Sequence, residues 1–215
     1  MHAPQFDFMA EPARQQLAPG AVLLRGFVRQ AATALLVEVD QIVQEAPFRH
    51  MQTPGGHRMS VAMSNCGTWG WITDARGYRY ASTDPTSDRP WPALAAPLLR
   101  LATACAAEAG YPGFAPDACL VNRYAPGARM TLHQDRNERD PNQPIVSVSL
   151  GLPVVFLFGG LRRTDRTQRV PLEHGDVVVW GGPSRLCFHG VLPLREGHHA
   201  AAGPYRINLT FRCAG

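Results

Sequence analysis

Asn122-Arg-Tyr-Ala-Pro-Gly-Ala-Arg-Met-Thr-Leu-His133-Gln-Asp135 sets the terms for the whole chain. One residue separates Asn122 from Tyr124, and one separates His133 from Asp135. Side chains alternate between the two faces of a β-strand, so on strands each pair points to one side. His133 and Asp135 can then offer an imidazole nitrogen and a carboxylate oxygen to the same point. Most His-x-Asp tripeptides bind nothing. A third donor is available in Phe188-His189-Gly190, and two imidazoles with one carboxylate form the facial set that leaves positions open on Fe(II).

Outward from this stretch, the chain after Ala118 reads as all β. The expected strands are Cys119–Tyr124, Ile145–Leu150, Val154–Phe158, Arg169–Leu172, Asp176–Trp180, Arg185–Phe188 and Tyr205–Arg212. Gly, Pro and Asp punctuate them, as in a sandwich or jelly roll. The last strand alternates cleanly: Tyr205, Ile207, Leu209 and Phe211 are apolar, whereas Arg206, Asn208, Thr210 and Arg212 are polar. One face packs. The other is simply solvated on an open sheet, but inside a jelly-roll mouth its two arginines could grip a dicarboxylate bidentately.

Upstream, Met1–Gly20 carries Pro4, Pro12 and Pro19 among polar residues and reads as a loose extension. Ala21–Phe27 suits a short strand. Leu35, Leu36, Val39, Ile42 and Val43 recur at helical spacing within Gln30–Glu45 and stop at Pro47. Phe48–Ser64 reads as a hairpin turning at Thr53-Pro-Gly-Gly56. Trp69, Trp71, Tyr78 and Tyr80 follow, interleaved with arginines. They form either a small satellite core or a platform on which bases stack. A second helix starts near Pro97 and ends at Gly110, with Leu98, Leu101, Ala102 and Cys105 as its buried stripe.

With 215 residues, 45% hydrophobic and 18% charged, the chain reads as an ordinary globular protein, long enough for one substantial core or at most two small ones. Its net charge of +4 tolerates a polyanionic partner without requiring one. All 21 basic residues are arginine, which is first a matter of genome composition and only second of phosphate recognition. Five scattered cysteines argue against a disulfide framework and a zinc ribbon. No signal pattern opens the chain and no apolar run approaches the ~20 residues of a membrane span, so a cytoplasmic protein without a membrane partner is expected.

From Leu17 to the C-terminus the chain resembles the AlkB family of Fe(II)- and 2-oxoglutarate-dependent dioxygenases, specifically the bacterial DNA-repair type. The likeness runs through Thr53–Gly56, Asp117–Gly127, Val146–Pro153, Glu173–Gly182 and Tyr205–Arg212. It implies an α+β, mainly β fold: a double-stranded β-helix (jelly-roll) core at 92–215, an N-terminal extension and helix at 1–46, and a nucleotide-recognition lid at 47–91, in a single domain. It implies that His133, Asp135 and His189 bind iron. Asn122, Tyr124, Arg206, Asn208 and Arg212 match the residues that hold 2-oxoglutarate, with Arg206 on the distal carboxylate and Arg212 on the end nearer iron. Trp71 matches the aromatic residue that sandwiches a flipped base against His133. Tyr78, Tyr80, Asn137 and Arg163 match positions around the substrate.

By the same likeness the expected chemistry is oxidative demethylation of bases such as 1-methyladenine and 3-methylcytosine, using Fe(II), 2-oxoglutarate and O2 and releasing formaldehyde and succinate. The expected partner is alkylated DNA, mainly single-stranded, with RNA or duplex also open; the plan needs no second subunit, and a monomer is expected. Two positions depart from the family. Asn137 replaces a common acidic residue near the base edge, and His57 replaces a tyrosine of the lid. Two other readings stay open on sequence: hydroxylation of a protein or small molecule, and a non-catalytic metal-binding jelly roll. His174 and Asp176 read as turn residues, Trp180 as core, and His198-His199 as a loop pair able to take metal adventitiously.

Overall fold

A computed structural model describes residues 13–215. Most of the expected loose extension, Met1–Pro12, lies outside them. The part that is described is not loose: β1 (Arg14–Ala18) turns through Gly20, at φ +79°, into β2 (Ala21–Leu24). Next come α1 (Ala32–Glu45), β3 (Ala62–Gly67), β4 (Gly70–Asp74), β5 (Gly77–Ala81) and α2 (Ala96–Glu108). The remainder is β6 (Ala118–Tyr124), β7 (Met130–His133), β8 (Ile145–Gly151), β9 (Val154–Phe158), β10 (Gln168–Leu172), β11 (Val177–Trp180), β12 (His189–Val191) and β13 (Arg206–Arg212).

These strands form two facing antiparallel sheets, in the orders β1-β2-β11-β8-β13-β6-β3 and β10-β9-β12-β7, with β4-β5 as a separate hairpin. The fold is a mainly β jelly roll. Three strands of the larger sheet, β1, β2 and β3, come from before residue 92.

The larger sheet is buried on both faces, and alternation decides what each face does. Ile207, Leu209 and Phe211 of β13 join Val146 and Val148 of β8 and Val177 and Val179 of β11 in a core sealed by Leu35, Val39 and Ile42 of α1 and by Leu98, Ala102 and Cys105 of α2. The opposite face of the same strands looks toward the smaller sheet. There β13 presents Arg206, Asn208, Thr210 and Arg212, each at most 6% exposed. Polar groups so deeply placed are costly unless bonded. Ser147 and Ser149 of β8, on the same inner face, serve that need: Asn208 Nδ2 donates to Ser147 Oγ over 2.9 Å, and Arg206 Nη2 to Ser149 Oγ over 3.0 Å.

Phe48–Ser64 is hairpin-like, held by the isolated bridges Arg49–Met63 and Gln52–Arg58 around the turn at 53–56. The β4-β5 hairpin rests on Trp91, whose Nε1 donates to Ala81 O over 2.9 Å. Gly70 permits that approach, since a Cβ there would lie 2.2 Å from the Trp91 ring.

Arg185–Phe188, expected as a strand, is not one. Gly182–Ser184 forms a 3-10 turn, Arg185 N bonds back to Gly182 O, and Cys187 N to Ser184 O. The strand instead begins at His189. Among the described residues no helix is long and apolar enough to cross a membrane.

Candidate active site

The two sheets, with Thr53, Met59, Trp71 and Tyr78 from the segment before α2, enclose a cavity of about 610 Å³. His133 closes β7 and His189 opens β12, and the two are register partners across the smaller sheet. Their rings lie 4.4 Å apart between centroids. Asp135 is not on the strand with His133 but in the loop beyond it, so strand alternation does not aim it. The loop is tied down instead: Arg185 Nη1 donates to Asp135 O over 2.6 Å, and Gln134 Nε2 to Leu186 O over 2.6 Å. The Asp135 carboxylate then sits between the imidazoles, with Oδ1 3.7 Å from His133 Nε2 and Oδ2 3.7 Å from His189 Nε2. Ligand atoms from all three side chains fall within 4.8 Å of one another, a spacing that could hold one metal ion.

The outer hydrogen bonds settle the imidazole tautomers. His133 Nδ1 faces Thr131 O at 2.8 Å and His189 Nδ1 faces Cys187 O at 3.0 Å. A carbonyl only accepts, so each Nδ1 carries the proton and each Nε2 lone pair points at the shared space. Burial, reinforced by His133, pushes the His189 pKa down to about 4. It is therefore neutral at physiological pH. For Asp135 burial alone would raise the pKa, but Arg212, then His189 and His133, outweigh it and hold the carboxyl well below its usual range.

Deeper in the cavity stand Asn122 and Tyr124 of β6 with Arg206, Asn208 and Arg212 of β13. Register pairs Arg206 with Tyr124 and Asn208 with Asn122, and Asn122 Nδ2 donates to Asn208 Oδ1 over 3.3 Å. Arg206 is the informative member. It is 2% exposed, its guanidinium lies 4.9 Å from the Tyr124 ring, and Nε and Nη1 have no hydrogen-bond partner. Burial lowers its pKa, with Tyr124 opposing. A buried guanidinium without a carboxylate is an expensive arrangement that a bound anion would complete. Asn122 Oδ1 is likewise unpartnered. These donors suit a small diacid whose far carboxylate meets Arg206.

The cavity mouth is aromatic and basic. Trp71 of β4 stacks on Tyr78 of β5 with centroids 5.7 Å apart and 21° between planes. Asn65 fixes its backbone, accepting from Trp71 N over 3.0 Å and donating to Trp71 O over 3.1 Å. Asn137 and Arg163 complete the rim, with Arg163 lying over Phe188 at 5.9 Å. Tyr80, expected beside Tyr78 at the substrate, is placed differently. It does not line the cavity; its hydroxyl donates to Glu138 Oε1 over 2.7 Å, and Arg212 Nη1 lies 3.5 Å away. Among the remaining histidines, His174 Nδ1 accepts from Gly151 N over 2.9 Å and its ring stacks on His199 at 4.3 Å, outside the cavity. Trp180 is core, 2% exposed, and packs against His189 at 4.9 Å.

Sequence reading missed Glu138 and Arg185. Their side chains are 3% and 4% exposed and joined over 2.9 Å, and Glu138 also faces Arg212 Nε at 3.5 Å. Glu138 sits in the run Arg136-Asn-Glu-Arg-Asp140, whose polarity reads as a solvated loop. Only its spacing of three from Asp135 hinted otherwise.

Comparison with known proteins agrees with this geometry. Residues 20–212 match the 2OG-Fe(II) oxygenase superfamily. The chain is 57% identical over 203 residues to the alpha-ketoglutarate-dependent dioxygenase AlkB of Salmonella typhimurium, covering 94% of each chain. It is 55% identical over 206 residues to the AlkB of Escherichia coli, covering 96% of this chain and 95% of that one. The solved structure of OsALKBH1 superposes with a TM-score of 0.80 at 29% identity, covering 93% of this chain and 99% of its own. The chain belongs to the AlkB family of Fe(II)- and 2-oxoglutarate-dependent dioxygenases.

Proposed function

We propose that this dioxygenase is an oxidative demethylase that directly repairs N-alkylated bases, 1-methyladenine and 3-methylcytosine foremost, in cytoplasmic DNA. It acts as a monomer, mainly on single strands, and the same chemistry admits RNA. The observation that carries this reading is one cavity holding the open-sided His133-Asp135-His189 set, an unsatisfied buried guanidinium at Arg206, and the stacked Trp71-Tyr78 pair at its mouth.

His133, Asp135 and His189 would hold Fe(II) through Nε2, a carboxylate oxygen and Nε2. Arg206, with Asn122 and Tyr124 beside it, would take the distal carboxylate of 2-oxoglutarate, while Arg212 and Asn208 face the end nearer the metal. Iron, 2-oxoglutarate and O2 together supply an oxidant strong enough to hydroxylate an N-methyl group, after which formaldehyde leaves and the base is restored. The protein's own part is placement. Residues 47–91 act as the nucleotide-recognition lid, where Trp71 offers a flat face for a base drawn out of its stack. Extrusion costs a few kcal/mol and least where pairing is already broken, as at a lesion on the Watson–Crick edge or in a single strand. Arg163 and Tyr78 frame the entry, and Asn137 meets the base edge.

Incubation with Fe(II), 2-oxoglutarate, O2 and an oligonucleotide carrying 1-methyladenine or 3-methylcytosine should release formaldehyde in step with succinate. Succinate formation that ignores the methylated oligonucleotide would instead point to another substrate.

A further inference from the structure

The stacked rings of Trp71 and Tyr78 stand on the least supported piece of the fold. β4-β5 is a two-stranded sheet of its own, five residues in each strand. Such hairpins are marginal in water unless something beyond the ladder holds them. The base of this one is held: Asn65 brackets Trp71, Trp91 Nε1 donates to Ala81 O, and the Tyr80 hydroxyl donates to Glu138. The tip is different. Among the described residues, no hydrogen bond or ion pair joins residues 73–79 to any segment outside the hairpin. The turn does not set the geometry by itself either. Ala75 and Arg76 connect the strands and neither lies at positive φ, so the turn is not of the primed type whose twist matches the flanking strands; only Gly77, at φ +106°, is left-handed.

Asp74 closes the tip. Its carboxylate takes two guanidinium nitrogens of Arg79, Nη1 on Oδ1 over 2.9 Å and Nη2 on Oδ2 over 2.7 Å, and Oδ1 also accepts from Arg76 N over 2.8 Å. Arg79 Nη1 donates further to Gly77 O over 3.2 Å, so the residues on either side of Tyr78 are tied together. Register places Trp71 opposite Tyr80, Ile72 opposite Arg79, Thr73 opposite Tyr78 and Asp74 opposite Gly77. Trp71–Tyr78 and Asp74–Arg79 are therefore diagonal pairs of one short ladder, aromatic on one face and ionic on the other. Exposed ion pairs usually contribute little, but a two-point grip of guanidinium on carboxylate is the exception. We propose that Arg79, gripping Asp74, is a positioning residue for base recognition: it fixes the tip so that Tyr78 stays on Trp71 and the aromatic pair meets an extruded base already formed. This rests on the demethylase reading for what the pair receives, but the grip itself can be tested without turnover.

The test compares Arg79→Gln, Asp74→Asn and the double variant with wild type. Asp74→Asn keeps an oxygen for Arg76 N and removes the charge. With Mn(II) and 2-oxoglutarate bound and oxygen excluded, each single variant should bind a short single strand carrying 1-methyladenine about three- to fivefold more weakly, and the double variant no worse than either. Affinity for 2-oxoglutarate and the melting temperature should stay at wild-type values. In NMR spectra recorded without nucleic acid, the Tyr78 ring protons, shifted by the Trp71 ring in wild type, should move toward free-tyrosine positions in both single variants. If Asp74→Asn binds the strand as tightly as wild type while Arg79→Gln weakens, Arg79 meets phosphate directly and the proposal is overturned. Tyr78 shifts that ignore both substitutions would overturn it too. A wild-type protein that releases no formaldehyde from the methylated strand would refute the demethylase reading alone, because the Tyr78 shifts still decide the grip.

Discussion

Arg212 donates through Nη2 to Asp135 Oδ2 over 2.6 Å, with side chains 6% and 10% exposed. The contact fixes the carboxylate and keeps it ionised against its burial. Burial also works against the charge of Arg212, but Asp135, Tyr80 and Glu138 outweigh it and hold the guanidinium protonated. Arg212→Gln would leave a buried carboxylate without its cation, a loss of about 3–5 kcal/mol when one partner of a buried pair is removed. Urea denaturation of the metal-free variant should show a loss of that order, and metal titration at neutral pH a weaker site.

Behind this pair, Glu138 bridges Arg185, Arg212 and the Tyr80 hydroxyl. Arg185 in turn holds the Asp135 carbonyl. Glu138→Gln keeps the shape but strips the charge from a buried network, so we expect lower stability together with weaker metal binding. Tyr80→Phe removes only one hydroxyl and should cost about 1 kcal/mol in the same denaturation assay. A Glu138→Gln protein as stable as wild type would show that the network is not what holds the loop.

The pH response of the metal-free protein follows from His189. Its folded pKa of about 4 lies below the ordinary value of 6.5. The unfolded chain therefore takes up the proton first, and stability falls as pH drops. The contribution is complete above 6.5, declines between 6.5 and 4, and changes no further below that. Over the full window it amounts to about 3 kcal/mol. Denaturation midpoints at a series of pH values should follow this slope, and His189→Asn should flatten it.

Asn137 lies at the cavity rim, exposed, where a carboxylate would attract a cationic base. Asn137→Asp should favour 1-methyladenine and 3-methylcytosine over neutral lesions such as 3-methylthymine, by roughly 1 kcal/mol or several-fold in kcat/KM. Competition between methylated oligonucleotides in one reaction reads the ratio directly.

Trp71→Ala removes the stacking face while leaving the metal and diacid groups in place. Base–aromatic stacking is worth about 1–3 kcal/mol, so KM for a methylated oligonucleotide should rise about tenfold or more. The KM for 2-oxoglutarate should hardly move.

Much of this was legible before folding. The alternation of β13 announces both of its faces, because a strand buried on two sides still sorts its side chains by parity; Arg206, Asn208, Thr210 and Arg212 all face the cavity as that parity requires. His133 and His189 could be paired from their contexts. Strand parity, however, was the wrong reason for Asp135, which leaves the strand and is aimed by Arg185. That tie joins residues 50 apart in sequence, and no local pattern encodes it. The same side chain explains the missing strand at Arg185–Phe188: Arg185 turns inward to Gln143 O, Asp135 O and Glu138 while Gly182–Ser184 bends the backbone. β1 escaped notice because Arg14, Gln15 and Gln16 are exposed on an edge strand and Leu17 alone packs inward.

The most direct measurement is anaerobic titration of Fe(II), or redox-silent Mn(II), into the wild-type protein, followed by 2-oxoglutarate. One equivalent of metal should bind, and 2-oxoglutarate should then bind tightly in wild type but at least tenfold more weakly in Arg206→Met, whose metal affinity is unchanged. Asp135→Ala should abolish the metal step itself. Full metal binding in Asp135→Ala, or equal 2-oxoglutarate affinity in Arg206→Met, would contradict the assignment of this cavity.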